Sequence, residues 1–161
     1  MILCRGQDPT DSCLTYGLIL HTLIRHLILE NDFETAYFKL GVQLFPCYES
    51  ARLRNAPSVT NKQLIDLGRY LYKEVSWYGG ATSCVSISTT IQAVLFAHGM
   101  DAELIIGGSK NDGKLFSHTW VQLSNGFEID PSGERFGKIP LQKKSLLSAV
   151  GKWVNQTCAS G

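Results

Sequence analysis

Apolar residues recur at three- and four-residue spacing through Leu14, Leu18, Leu23, Ile24 and Leu27, which predicts a helix capped by Asp11 or Ser12 with that stripe turned to the core. A second helix is expected to open at Asn31, where Glu34 completes an Asn-x-x-Glu capping box, and to run through Phe33, Tyr37, Phe38 and Leu40 to the Phe45-Pro46 break. The stretch Ala51 to Val59 carries Arg52, Arg54, Asn55 and Pro57 without periodicity and reads as the main connecting loop. From Thr60 a third helical pattern runs through Leu64, Leu67, Leu71, Val75 and Tyr78, and Gly79-Gly80 closes it. A fourth begins at Cys84, places Ile87, Ile91, Val94 and Leu95 on one side, and stops at His98-Gly99.

Beyond that point the period changes. Ala102 to Ile106, Phe116 to Leu123 and Phe127 to Ile129 are β-branched and aromatic runs, the last two joined by Ser124-Asn125-Gly126. An Asn-Gly step between such runs predicts a tight hairpin with positive φ at both central residues. The polar segment Ser109 to Lys114 is expected to be a loop rimming a cleft, and a last helix is expected over Leu141 to Val154. Helices followed by antiparallel strands make an α+β fold, a helical N-terminal half packed on a small antiparallel sheet.

Composition narrows the classes. The 161 residues, 44% hydrophobic, suffice for one core, read as a single domain over 1–161 with a helical part at about 11–78 and a core at about 79–155. Fifteen basic and 14 acidic residues are scattered rather than blocked, which gives no footprint for nucleic acid or anionic lipid. The five cysteines are odd in number and contain no Cys-x-x-Cys pair, arguing against a disulfide framework or zinc site and for a cytoplasmic setting. His21, Arg25 and His26 interrupt the apolar stretch from Leu14 to Leu29, against a membrane span or signal peptide.

The chemistry converges on three residues. Cys84 stands where a loop becomes a helix, so free amide groups and the positive end of the helix dipole favour its thiolate. His118 lies in a strand that turns it and Trp120 to one face, and Asp130 ends the following strand, where a hairpin can return it to the imidazole. Taken singly, each has an ordinary structural explanation: a buried cysteine, a satisfied histidine, a turn aspartate before Pro131. Together they supply nucleophile, base and orienting acid on rigid elements. His21, His26 and His98 read as structural, on helix faces or at a helix C-terminus. The hydroxyls of Ser86, Ser88, Thr89 and Thr90 read as part of an amphipathic helix.

The segment from Ala81 to Asp130 resembles the transglutaminase-like, papain-type cysteine peptidases, and among them the B2 leader peptidases of lasso-peptide biosynthesis. The resemblance rests on Ala81-Thr82-Ser83-Cys84, on His98-Gly99-Met100-Asp101-Ala102-Glu103-Leu104-Ile105-Ile106-Gly107, and on Phe116-Ser117-His118-Thr119-Trp120-Val121-Gln122. Val85 and Gln122 stand where the family commonly has leucine and glutamate, and Asp130-Pro131-Ser132 is similar to the Asp-Pro-Thr of broader transglutaminase-like domains.

The resemblance implies Cys84 as nucleophile, His118 as base and Asp130 as third member. It implies a precursor-peptide leader as substrate, a separate leader-recognition protein, and a lactam-forming, ATP-using synthetase acting alongside. The expected oxyanion donors are the Cys84 backbone N–H and one further group, with Ser83 available. No metal or organic cofactor is implied. The same three residues would also serve a glutamine deamidase or transglutaminase, and an inactive peptide-binding module would keep the fold without the chemistry.

Overall fold

The computed structural model describes residues 9–55, 58–77, 84–111, 113–132 and 137–159. Among these residues five helices and four strands follow in the order α1 (Pro9–Glu30), α2 (Phe33–Leu53), α3 (Asn61–Trp77), α4 (Cys84–Ala97), β1 (Glu103–Asn111), β2 (Lys114–Gln122), β3 (Glu128–Ile129), β4 (Lys138–Ser145) and α5 (Leu146–Ala159). The architecture is α+β, as the change of period requires, with one antiparallel sheet ordered β3-β2-β1-β4. The Gly79-Gly80 turn, Tyr78, Ser83 and Cys4 lie outside the described residues.

α4 is the centre of the molecule and packs against α1, α2, α3, β1 and β2. Every side chain from Ser86 to Phe96 is buried, so its hydroxyls are interior groups rather than the polar face of an amphipathic helix. Most are satisfied: Ser88 Oγ donates to Thr119 O at 2.8 Å, and Thr90 Oγ1 to Ser86 O at 2.8 Å. Gln92 donates to Ala102 O and Lys144 O while accepting from Tyr37 Oη, joining α2, the residue just before β1, and β4 through one buried amide. Gly99, at φ +78°, ends α4 with Met100 N–H bonded back to Leu95 O.

Several boundaries differ from the periodic reading. α1 starts before Asp11 and Ser12, and its inner stripe is Cys13, Leu20, His21 and Ile24, whereas Leu23 faces outward. This helix is long and apolar enough by composition to cross a membrane, and here its inner stripe packs on α4. α2 is capped by Asp32, which accepts from Thr35 N–H, while Asn31 closes α1 by donating to Leu27 O. It continues through Pro46 to Leu53, shortening the connecting loop: Leu44, Tyr48 and Ala51 are buried on either side of the exposed proline, and their packing outweighs its missing N–H. Thr60 does open α3, through reciprocal bonds with Gln63.

In the sheet, Ser109 to Asn111 and Lys114 belong to strands rather than a loop, paired up to Asn111↔Lys114 with Gly113 at φ +78°. The β2–β3 connection has only Gly126 at positive φ; Leu123 N–H bonds to Phe127 O and the Asn125 side chain accepts from Phe127 N–H, a three-residue loop instead of the expected two-residue turn. Residues 141–145, expected in the last helix, form the end of β4. The register slips between Ile106 and Gly107, which leaves Leu141 as a bulge beside Pro140, and α5 starts only at Leu146.

Candidate active site

β3 pairs only with Val121 and Gln122, so β2 overhangs it. Antiparallel alternation turns the N–H and C=O of Thr119 toward that unpaired side. α4 occupies the gap. Ser88 bonds the Thr119 carbonyl, and Cys84, one helical turn earlier on the same face, meets the Thr119 N–H with its sulfur. Thr119 Oγ1 is buried and completes no hydrogen bond of standard geometry, and the sulfur is the group it faces.

Cys84 is the first residue of α4 and is half-buried, at the positive end of the helix dipole, as the loop-to-helix transition in the sequence requires. Burial raises its pKa. Hydrogen bonds from His118 and Thr119, with the charge of His118, outweigh that and bring the thiol below its ordinary value.

His118 and Trp120 do share a face of β2, and their rings stack at 5.7 Å between centroids. His118 Nε2 donates to Asp130 Oδ2 at 2.7 Å, leaving Nδ1 as the nitrogen for the sulfur. Bonds to Asp130 and Cys84 outweigh burial and raise His118 to about 9. Asp130 is held below the usual carboxylate range: burial opposes this, but His118, Lys138 and Ser132 all donate to it. Its Oδ1 accepts from both the N–H and hydroxyl of Ser132. The turn role and the orienting role, which look like alternatives in the sequence, are carried by the two oxygens of one carboxylate.

Five partners of this group went unassigned in the sequence: Thr119, Ser132, Lys138, Glu128 and Ser88. Lys138 Nζ lies 2.8 Å from Asp130 Oδ2 and 3.3 Å from Glu128 Oε2, and Trp120 Nε1 donates to Glu128 Oε1. Lys138 arrives from β4, on the far side of β1, because a Cβ on Gly107 would stand 2.1 Å from Ile139 O. Only glycine lets the start of β4 bend that close over the His118 face. Gly107-Gly108 was therefore the one available signal for this close backbone approach. Gln122 bonds Lys143 away from this cluster, so that departure from the family pattern does not touch it.

Of the other histidines, His98 caps α4 by donating to Val94 O at 2.7 Å, while His21 is fully interior rather than on a solvated face. A family model described as the transglutaminase-like superfamily matches residues 27–139. No curated protein and no solved structure matches the chain.

Proposed function

The chain belongs to the transglutaminase-like superfamily, and from that premise we propose that it is a cysteine peptidase removing the leader of a ribosomally made precursor peptide in lasso-peptide maturation. The observation that carries the chemistry is the position of His118, bonded through Nε2 to Asp130 at 2.7 Å with its other nitrogen free for the Cys84 sulfur. The thiolate attacks the scissile carbonyl and a C–S bond forms. As the tetrahedral intermediate collapses the C–N bond breaks, and the imidazolium proton passes to the departing amine. Water then adds to the thioester while His118 takes its proton. The C–S bond breaks, the leader leaves as a carboxylate, and the thiolate–imidazolium pair is restored.

The oxyanion meets the N–H groups at the start of α4. The leader as substrate is supported by the resemblance at Ala81 to Cys84, His98 to Gly107 and Phe116 to Gln122. A separate recognition protein holds the flexible leader and offsets its entropy loss by raising effective concentration at Cys84, and the lactam synthetase acts on the released core.

Mass spectrometry of precursor peptides incubated with the chain, with and without the recognition protein, tests this. Cleavage at one bond, accelerated by the partner and absent in Cys84→Ala, is the expected result. A gain of about one dalton at a glutamine, the mass signature of amide-to-acid conversion by the same thioester route, would replace it with a deamidase. Binding without any turnover would leave a peptide-binding module.

A further inference from the structure

Lys138 is largely buried, its side chain only 14% exposed, although lysine ordinarily keeps its ammonium in water. Three contacts hold it: Asp130 Oδ2 at 2.8 Å, Glu128 Oε2 at 3.3 Å and the Trp120 ring, 5.1 Å to its centre. Among the described residues, the groups around His118 are the Cys84 sulfur from α4, Trp120 from β2, Asp130 after β3 and, behind Asp130, Glu128 from β3 and Lys138 from β4. Of these, the charged ones other than Lys138 are all acidic. An imidazolium in that surrounding would keep its proton, whereas amide cleavage requires its release to a strongly basic leaving nitrogen.

Resting on the peptidase reading, we propose that Lys138 is a positioning residue of this site: by sharing Asp130 and neutralising Glu128, it keeps the His118 imidazolium acidic enough to protonate a poor leaving group. Asp130 stays oriented by Ser132 and His118, and Lys138 sets how strongly it holds the proton. The bend of β4 over Gly107 brings this charge into place.

The test separates charge from packing. In a Cys84→Ala background, where the thiolate is absent, the His118 ring is titrated by NMR. Lys138→Met should raise its midpoint by about one pH unit, Lys138→Arg should leave it within about 0.3, and Glu128→Gln, which stands even if the Met variant does not fold, should lower it by about half a unit. With Cys84 present, a short leader-end peptide is supplied as its p-nitroanilide and as its p-nitrophenyl ester, whose phenolate departs without a proton. Lys138→Met should lower the anilide-to-ester rate ratio about tenfold. An unchanged or lowered midpoint in Lys138→Met, an equal loss on both substrates, an Arg variant shifted as far as the Met variant, or no response to Glu128→Gln would each overturn the proposal. Failure of the unmutated chain to hydrolyse either substrate would count against the peptidase reading itself, while the titration still judges Lys138.

Discussion

Two buried histidines flank the first turns of α4, and their charges are set in opposite directions. On the α1 side, His21 is 3% exposed with Nε2 3.4 Å from Ser86 Oγ; on the β2 side, His118 is 6% exposed beside Cys84. Burial, assisted by the charge of Arg25, lowers His21 to about 4, whereas bonds to Asp130 and Cys84 raise His118 to about 9. Burial alone therefore makes a neutral histidine, and a buried acid makes a charged one. At neutral pH the molecule holds an uncharged imidazole two residues along α4 from a charged one.

The largest break in that contrast is removal of the groups that charge His118. Cys84→Ala should abolish turnover and the rapid alkylation of the folded chain. In the parent, iodoacetamide at mildly acidic pH should label Cys84 before Cys47, although Cys47 is the more exposed thiol. Peptide mapping after short exposure decides this, and faster labelling of Cys47 would reject Cys84 as the nucleophile. Asp130→Asn should make His118 behave more like His21, cutting turnover by about 10²–10⁴ with the circular dichroism spectrum retained. Unchanged turnover would remove Asp130 from the mechanism.

The pH dependence sharpens the comparison because the two signs differ. His118 is raised in the fold, so its contribution to stability is fully present below about 6.5 and is lost as pH rises through about 9. Hydrolysis should fall over the same alkaline range as the imidazolium disappears. His21 is lowered, so its contribution is present above about 6.5 and is lost as pH falls through about 4, a loss of at most about 3 kcal/mol. Thermal melts from pH 7 to pH 4 should show this decline, and His21→Leu should flatten it. An identical slope in that variant would place the acid sensitivity elsewhere.

The smallest expected effect is that of Ser88→Ala. It leaves the Thr119 carbonyl unpaired beside Cys84 and should cost about 1–3 kcal/mol in chemical denaturation, with a several-fold slower Cys84 alkylation. Equal alkylation rates would mean that Ser88 fastens α4 to β2 without setting the position of the sulfur.

The meeting of Cys84, His118 and Asp130 was legible because their neighbours in sequence carry local signals: a helix start, a strand alternation and a hairpin return. Ser109 to Asn111 and Lys114 form strands where a loop is expected because these polar residues are paired backbone-to-backbone, a pattern that ignores side-chain polarity. β4 was hidden because Pro140 and the polar residues Lys138, Gln142, Lys143, Lys144 and Ser145 leave little alternation in an outer strand. Lys138 could not be tied to Asp130 from sequence, since their meeting depends on a strand crossing the sheet and on an absent side chain at Gly107. His21 shows the complementary limit: helical periodicity places it on a face, but only packing against α4 shows that the face is interior.

The irregular start of β4 also bears on how the folded chain behaves at high concentration. Pro140 offers no N–H, the Leu141 bulge breaks the row of outward amides, and Lys143 adds charge along the open side of the sheet. The β4 border therefore cannot template a strand from a second molecule over any useful length, which guards that side of the sheet against fibre growth by edge pairing.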